Sequence, residues 1–178
     1  MLIAFAGPIG VGKSEAAKMV KGAIIMSFAT PLKNAAKELF GFTTQQLYTL
    51  EGKQAVDPRW GVTPREMLHW LGTDVMRKRF PGFWVKRMEY ALQDINSPGH
   101  IVIDDCRFPD EAAMVRRLGG TVVHVHGRQP KIEVDTRTVE HEAEKPLEIF
   151  SGDLSLDNSG DLTLLKRRVA ELVRYIQS

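Results

Sequence analysis

Several features that mark specialised classes of protein are scarce or missing in this sequence of 178 residues. It has one cysteine, Cys106, so no disulfide can form within the chain, which is compatible with a reducing cytoplasm. No stretch approaches the roughly 20 apolar residues that a membrane-spanning helix needs. The 24 lysines and arginines nearly balance the 22 aspartates and glutamates, which leaves no overall field to attract nucleic acid or a membrane. We therefore expect a cytoplasmic protein with small-molecule partners and with no nucleic-acid or membrane partner.

Internal repeats and low-complexity segments are also missing, and the length suits a single domain without structural disulfides or metal. What the chain has is an alternation of strand-length apolar runs and helical patterns, which predicts a parallel sheet with helices on both faces. Strands are predicted over 2–6, 23–28, 101–104, 121–126 and 154–157. Helices are predicted over 15–20, 31–40, 64–77, 83–95, 110–118 and 162–176, with Thr63 and Asp161 as N-caps.

Two segments lack this regularity. Residues 41–62 are rich in Gln, Thr and Gly, and they predict loops or short helices. Residues 127–146 form a highly charged connection between the fourth and fifth predicted strands. A connection of that length in a compact domain is usually functional or disordered.

The most informative motif is Gly-Pro-Ile-Gly-Val-Gly-Lys-Ser at residues 7–14, the pattern G-x-x-x-x-G-K-[ST] between a strand and a helix. Its glycines allow backbone N–H groups to converge on a phosphate, and the helix N-terminus adds positive charge. Lys13 would reach the β- and γ-phosphates, and the Ser14 hydroxyl would bind Mg²⁺. We therefore predict a binding site for ATP with Mg²⁺. The predicted loop residues are Gly7, Gly10, Val11, Gly12, Lys13, Ser14 and Glu15.

A second motif follows the apolar run 101–103, which ends in Asp104, Asp105, Cys106 and Arg107. In an open α/β sheet the site lies beyond the carboxyl ends of the strands, so a carboxylate here could orient Mg²⁺ or its waters. Because side chains alternate along a strand, only one of Asp104 and Asp105 should face the site directly. We assign Asp104 to the metal and Asp105 to the catalytic and acceptor-binding residues. The alternatives are a carboxylate that caps helix 110–118 and a surface salt bridge for Arg107.

Phosphoryl transfer to a second anion requires cationic groups in line with the γ-phosphate, and arginine suits this because its planar fork binds two phosphate oxygens. The middle of the chain supplies Lys33, Arg65, Arg77, Lys78 and Arg79. An apolar slot for a base could come from the aromatic residues of the same region, although core packing is an equally good explanation for each of them. These aromatic candidates are Trp60, Trp70, Phe80, Phe83 and Trp84.

Together these motifs resemble the deoxynucleoside monophosphate kinases of bacteriophages and prophages, within the P-loop nucleoside-monophosphate-kinase group. The resemblance covers nearly the whole chain, and Asp-x-Arg-Phe-Pro-x-Glu combined with the Leu-Gly-Thr helix is its most specific part. Its marks are the phosphate loop, Ser27 to Lys33, Thr63 to Leu68, Leu71 to Asp74, Asp105 to Glu111, and Asp157 to Gly160. One departure is His69, where the family favours Gln, and this would alter base preference if that position touches the acceptor base.

The resemblance implies a three-layer P-loop fold with a five-stranded parallel sheet in one kinase domain. It also implies a helical acceptor-binding region at about 29–96 and a lid at about 127–146. The acceptor monophosphate would be bound by Lys33, Arg65, Arg77 and Arg107, with Asp105 and the aromatic Trp70 beside it. Arg128 and Arg137 would fold from the lid onto the triphosphate, and Asn158 would lie near the adenine. A homodimer and a location in a host cytoplasm are compatible with this family.

The reaction so implied is transfer of a phosphoryl group from ATP to a deoxynucleoside 5′-monophosphate. Catalysis would consist of positioning and charge stabilisation, with Lys13, Asp105, Arg107 and Arg128 as the catalytic residues. Three alternatives remain from the residues alone. They are a kinase of another small acceptor such as shikimate, gluconate or dephospho-coenzyme A, a regulatory or nucleic-acid-dependent ATPase, and a nucleotide-binding module without catalysis.

Overall fold

A computed structural model describes residues 1–95, 99–128 and 147–178 of the chain. Its centre is a five-stranded sheet in which all neighbouring strands are parallel, in the order β2-β3-β1-β4-β5. The strands are β1 (Leu2–Ala6), β2 (Ala23–Met26), β3 (His100–Cys106), β4 (Thr121–His126) and β5 (Leu154–Asp157). The parallel sheet predicted from the alternation of elements is confirmed.

Helices connect these strands and extend one side of the molecule. They are α1 (Lys13–Met19), α2 (Ala29–Phe40), α3 (Thr44–Tyr48), α4 (Leu50–Gln54), α5 (Pro64–His69), α6 (Phe83–Gln93), α7 (Pro109–Arg117) and α8 (Leu162–Gln177). A π-helical segment, Trp70–Arg77, follows α5 directly. In the described residues, none of these helices combines the length and apolar character needed to cross a membrane.

The sheet separates two hydrophobic cores because successive side chains of β1 point to opposite faces. Ile3 and Phe5 pack with helices α1 and α8, whereas Ala4 and Ala6 pack with residues of α6 and α7. All four side chains are fully buried. This gives the three-layer arrangement that was predicted. A third, smaller cluster of Ala36, Phe42, Leu47 and Leu68 holds α2, α3 and α5 together beside the sheet.

Local signals placed two helix starts correctly. The Thr63 hydroxyl accepts the Glu66 N–H at 3.1 Å, and the Glu66 carboxylate accepts the Thr63 N–H at 2.8 Å. Asp161 accepts the Leu164 N–H at 2.8 Å at the start of α8. Both N-caps are therefore confirmed, as are the short helices expected within residues 41–62.

Among the boundaries that differ from the prediction, two lie beside residue 28. Strand β2 ends at Met26 rather than residue 28, and α2 begins at Ala29 rather than Pro31. The reason is non-local: the Asp105 carboxylate accepts the N–H groups of Phe28 and Ala29, which caps α2 early. Pro31 then lies in the first turn, where proline is tolerated.

The predicted helix 64–77 is also not uniform, because it changes from α to π geometry at Trp70. The Gly72 carbonyl accepts the indole N–H of Trp84 at 2.9 Å. A Cβ at Gly72 would lie 2.6 Å from Leu32 Cδ2, so glycine permits close approach of α2 here. Single π turns within helices are frequent at functional sites.

Candidate active site

A cavity of about 510 Å³ opens at the carboxyl ends of β1, β2 and β3. Its lining includes residues of the phosphate loop and residues of α2, α3, α4, α5 and the π segment. Its volume lies within the range of small-molecule sites, about 300–1,000 Å³. Its basic lining residues among those described are Lys13, Lys33, Lys53, Arg65, Arg77 and Arg107, and its acidic ones are Glu15, Asp104, Asp105 and Glu111.

The phosphate loop has the conformation that its glycines predict. Gly7, Gly10 and Gly12 have φ values of 141°, 75° and 100°, a region that other residues rarely adopt. A Cβ at Gly7 would lie 2.5 Å from the Val125 carbonyl oxygen, so this glycine also allows close contact with β4. The loop then enters α1 at Lys13, which places the helix N-terminus at the cavity.

Lys13 is only 7% exposed and donates to the carbonyl oxygens of Gly7 and Pro8 at 2.7 and 2.9 Å. The side chain thus lies across the loop that it belongs to. Ser14 and Glu15 follow on the first turn of α1 and line the cavity. The Glu15 carboxylate pairs with Lys18 at 2.9 Å on the exposed face of the helix.

Asn158 contacts the backbone of the phosphate loop. Its side-chain amide donates to the Val11 carbonyl at 2.7 Å, and the residue is buried. It does not line the cavity in the described part of the chain. The structure therefore gives Asn158 a contact with the loop backbone, and contact with adenine stays a prediction.

Asp104 and Asp105 both line the cavity, and which of them faces a metal directly stays a prediction. The pairing of β1 with β3 slips between Ala4↔Ile103 and Ala6↔Cys106, which inserts an extra residue into β3. Such a bulge interrupts the regular alternation of side chains and is common beside active sites.

The two carboxylates differ in their partners. Asp104 accepts the Ser27 hydroxyl through Oδ1. Asp105 uses both oxygens to cap α2, accepting Phe28 N–H at 2.8 Å and Ala29 N–H at 2.9 Å. Burial and the neighbouring Asp104 charge raise the pKa of Asp105, which the two backbone N–H groups oppose. The helix that Asp105 caps is α2, not the helix at 110–118 considered as the alternative.

Lys33 and Arg65 line the cavity from α2 and α5. Burial lowers the pKa of Lys33, although the carboxylates of Asp105 and Asp104 oppose this shift. The Lys33 ammonium lies 4.2 Å from the ring centroid of Tyr48. Arg65 is 6% exposed on α5, and His69 lies one turn later on the same lining surface.

Trp70 does not line the cavity, contrary to prediction, and is 50% exposed. Its neighbour His69 faces the cavity instead, and successive helical residues point about 100° apart. Among the aromatic candidates, Trp84 reaches the lining, while Trp60 packs edge-on against Phe40.

The predicted arginines have different surroundings. Arg107 lines the cavity from the turn between β3 and α7. Arg77 lines it too, but its guanidinium is paired with Asp110 and Glu111. Arg128 follows β4 and Gly127 and is not among the lining residues described. Arg137 and most of the predicted lid lie outside the described residues.

The sequence of the chain is similar to those of known proteins. A family model for deoxynucleotide monophosphate kinases matches residues 7–169, from the phosphate loop into α8. The chain belongs to the deoxynucleotide monophosphate kinase family. A protein of Acanthamoeba polyphaga mimivirus named for the same family is 38% identical over 141 residues, which cover 70% of this chain and 73% of the relative. The resemblance drawn from the motifs is thus confirmed at the level of the family, and a bacteriophage origin stays a prediction.

Membership in this family makes the chain a nucleotide kinase and hence a phosphotransferase. Solved structures agree on the fold. A gluconokinase from Sinorhizobium meliloti 1021 has 15% identity and a TM-score of 0.53, with 98% of this chain and 93% of that chain covered. TT1252 from Thermus thermophilus has 17% identity and a TM-score of 0.56, with 98% and 97% covered. At these identities the likeness concerns the fold alone, and it confirms the predicted three-layer P-loop architecture.

Several lining residues of this kinase were not predicted as site residues, among them Tyr48, Lys53 and Glu111. Tyr48 and Lys53 lie on α3 and α4, in the segment predicted only as loops or short helices. The pattern Thr43 to Gln46 is a capping box and could have located α3, but not its orientation toward the cavity. Glu111 was part of the motif, and its burial next to Arg77 depends on packing that no local pattern shows.

Proposed function

We infer that this kinase transfers the terminal phosphoryl group of ATP to a deoxynucleoside 5′-monophosphate and forms the diphosphate and ADP. The observation that carries the inference is one continuous cavity whose lining includes both the phosphate loop, here called the phosphate wall, and Lys33, Arg65 and Arg107, here called the acceptor wall. A kinase with two anionic substrates needs this arrangement, because the donor and acceptor phosphates must meet while their charges are compensated. The deoxynucleotide acceptor is supported by the family and not by the geometry.

On the phosphate wall, the loop backbone and the N-terminus of α1 would hold the ATP phosphates. Lys13 now donates to the carbonyl oxygens of its own loop, and these are weaker acceptors than a phosphate. We expect its ammonium to turn to the β- and γ-phosphates when ATP binds. Gly7, Gly10, Val11, Gly12 and Glu15 would complete this wall, with Asn158 fixing the loop through Val11.

On the acceptor wall, three cations would neutralise the acceptor monophosphate and the phosphoryl group in transfer. Arg65 is nearly buried, so its charge is weakly screened, and Lys33 stands one turn into the helix capped by Asp105. The attacking phosphate oxygen is already anionic at neutral pH, so no general base is required. Asp105 then contributes by fixing α2 and Lys33, while Arg107 stabilises the transferring charge.

The donors present also fit Mg²⁺. The exposed Ser14 hydroxyl and the Asp104 carboxylate both line the cavity, and Mg²⁺ takes oxygen ligands from one or two protein groups together with substrate phosphates. Ser27 would orient Asp104 through their hydrogen bond. The ion would supply charge neutralisation between the β- and γ-phosphates. Within the described ranges there is no group of three or more His, Cys, Asp or Glu residues arranged to hold a metal.

The proposal retains Arg128 and Arg137 as cations that approach the triphosphate from the predicted lid. It also retains the single kinase domain, the cytoplasmic location and the compatibility with a homodimer as predictions. Each can be measured separately from the activity.

The test is a coupled assay of ADP formation with ATP and Mg²⁺ over a panel of acceptors. The panel contains the deoxynucleoside and ribonucleoside monophosphates, gluconate, shikimate and dephospho-coenzyme A, and a reaction without acceptor measures hydrolysis. We expect rapid turnover with one or more deoxynucleoside monophosphates and slow hydrolysis alone. Turnover with another acceptor only, or hydrolysis that no acceptor stimulates, would contradict the proposal. Lys13→Ala supplies the background, because it removes the phosphate-loop cation.

A further inference from the structure

Arg77 lines the cavity, yet both terminal nitrogens of its guanidinium are already bound within the protein. Nη1 donates to the two carboxylate oxygens of Asp110 at 2.7 and 2.6 Å, and Nη2 donates to Glu111 Oε1 at 2.5 Å. The guanidinium also lies over the Phe108 ring, 3.6 Å from its centroid. The remaining Nε is buried and has no hydrogen-bond partner among the described residues. The two terminal nitrogens that could bind a phosphate are therefore already bound to two carboxylates.

Glu111 connects this guanidinium to the backbone of the catalytic turn. Its Oε2 accepts the N–H of Arg107 at 2.9 Å and the N–H of Phe108 at 3.2 Å. One carboxylate thus joins the end of the π segment to the turn from which Arg107 enters the cavity. The Arg77 side chain is 14% exposed and that of Glu111 is 4% exposed. Breaking a buried pair of this kind leaves an uncompensated charge, so the arrangement resists rearrangement.

We propose that Arg77 is a positioning residue, which holds the Arg107 turn through Glu111 and does not itself bind the acceptor phosphate. This replaces the role that the family resemblance implied for Arg77. An acceptor phosphate could reach the two terminal nitrogens only by displacing the carboxylates that already accept from them. The inference rests on the proposed function only in taking Arg107 as a ligand of the acceptor or transferring phosphate.

The decisive experiment is a double-mutant cycle between Arg77→Met and Arg107→Ala, measured as kcat/KM for the acceptor. We expect Arg77→Met alone to lower this value by about 10²-fold, the cost of a small misplacement of a catalytic group, with the KM for ATP unchanged. In the Arg107→Ala background the same substitution should cause no further loss. If the two losses multiply, Arg77 binds the substrate independently and the proposal is overturned.

Glu111→Gln separates the two roles by the sign of its effect. If Arg77 positions the turn, this substitution weakens the link and lowers kcat/KM for the acceptor. If Arg77 is a phosphate ligand, loss of a competing carboxylate leaves acceptor binding unchanged or improves it. An unchanged or smaller acceptor KM with full kcat would therefore overturn the proposal.

Amide hydrogen exchange gives a readout that does not depend on any substrate. The N–H groups of Arg107 and Phe108 both donate to Glu111 Oε2, so Arg77→Met should accelerate their exchange relative to amides of β3. Unchanged exchange at both amides would overturn the positioning role, even if no acceptor has been identified. Failure of the proposed function would appear separately, as a wild-type protein that phosphorylates no nucleoside monophosphate.

Arg116 provides a matched control for the loss of a partly buried arginine. It binds Asp153 through two nitrogens at 2.8 and 2.6 Å and lies 4.5 Å from the Phe150 ring centroid, but it does not line the described cavity. Arg116→Met should reduce stability and leave kcat/KM for the acceptor unchanged. If Arg77→Met does not fold, Glu111→Gln tests the same link, because Glu111 Oε1 accepts from Arg77 and its Oε2 accepts from Arg107 and Phe108. Unchanged acceptor kcat/KM in that variant would count against the proposal.

Discussion

The two walls of the cavity are built in different ways. The phosphate wall comes from one short stretch, residues 7–14, whose shape follows from its glycines and from the start of α1. The acceptor wall collects side chains from α2, α3, α4, α5 and the π segment. Contacts between distant residues hold it in place, such as Asp105 to Phe28, which are 77 residues apart. The proposed donor site therefore depends on a local motif, whereas the proposed acceptor site depends on the assembled fold.

Lys13→Ala should have the largest effect on activity. This effect should arise at the phosphate wall and not at the acceptor wall. Removing one charge-stabilising donor typically lowers kcat by about 10²–10³-fold. We expect a loss of at least this size, with weaker ATP binding by calorimetry and an unchanged melting temperature. Lys18→Ala is the control, since Lys18 lies on the same helix, is exposed, and pairs with Glu15 in the described part of the chain. Equal losses in the two variants would show that charge near α1, and not the loop contact, is responsible.

Gly12→Ala should distort the phosphate loop through backbone strain and steric overlap. The φ of 100° is strained for alanine, and its Cβ would lie well under 3.0 Å from the Asn158 amide nitrogen. Strain and steric overlap of this kind cost on the order of 2–3 kcal/mol. We expect this loss in urea unfolding, together with weaker ATP binding. Gly22→Ala shares a positive φ of 69° but meets no atom within 4 Å, so it should lose about 1 kcal/mol and bind ATP normally.

Asp153 belongs to neither wall of the cavity. Its substitution therefore measures how much a charge pair away from the cavity contributes to the free energy of unfolding. Although burial opposes the shift, hydrogen bonds from Arg116, the Phe150 N–H and His124 hold the pKa of Asp153 at about 2. A lowered native pKa contributes stability above the unfolded value of 3.8, and this is lost as pH falls toward 2. Asp153→Asn should cost about 2 kcal/mol at pH 7 in urea unfolding. The difference from wild type should shrink between pH 4 and pH 2 by the same linkage. A constant difference over that range would contradict the pairing.

Asp105→Ala should have a smaller effect on stability than Gly12→Ala or Asp153→Asn, and it should test the acceptor wall. Loss of a helix N-cap costs about 1 kcal/mol. Because α2 carries Lys33, we also expect a several-fold rise in the acceptor KM with little change in the KM for ATP. Asp161→Ala removes the cap of α8 at a similar cost, but it should leave both KM values unchanged. A comparable rise in the ATP KM of Asp105→Ala would show that the two walls are not independent.

Much of the fold could be predicted because its signals are local. The phosphate loop, the capping box at Thr63 and the cap at Asp161 each depend on residues within a few positions of one another. Apolar periodicity located all five strands, with boundary errors at β2 and β3. The change to π geometry at Trp70 was not predictable, because it accompanies Trp84 and Leu32, which lie elsewhere in the sequence.

The sequence by itself determined the class of the fold and the conformation of the phosphate loop, since glycine conformation, helix capping and strand periodicity act over a few residues. Only the tertiary structure decided how the acceptor side is arranged: that Asp105 caps α2, that Trp70 lies outside the cavity, and that Arg77 is held by Asp110 and Glu111. The physical reason is that burial and charge pairing depend on which distant groups meet, and a linear pattern does not contain those distances.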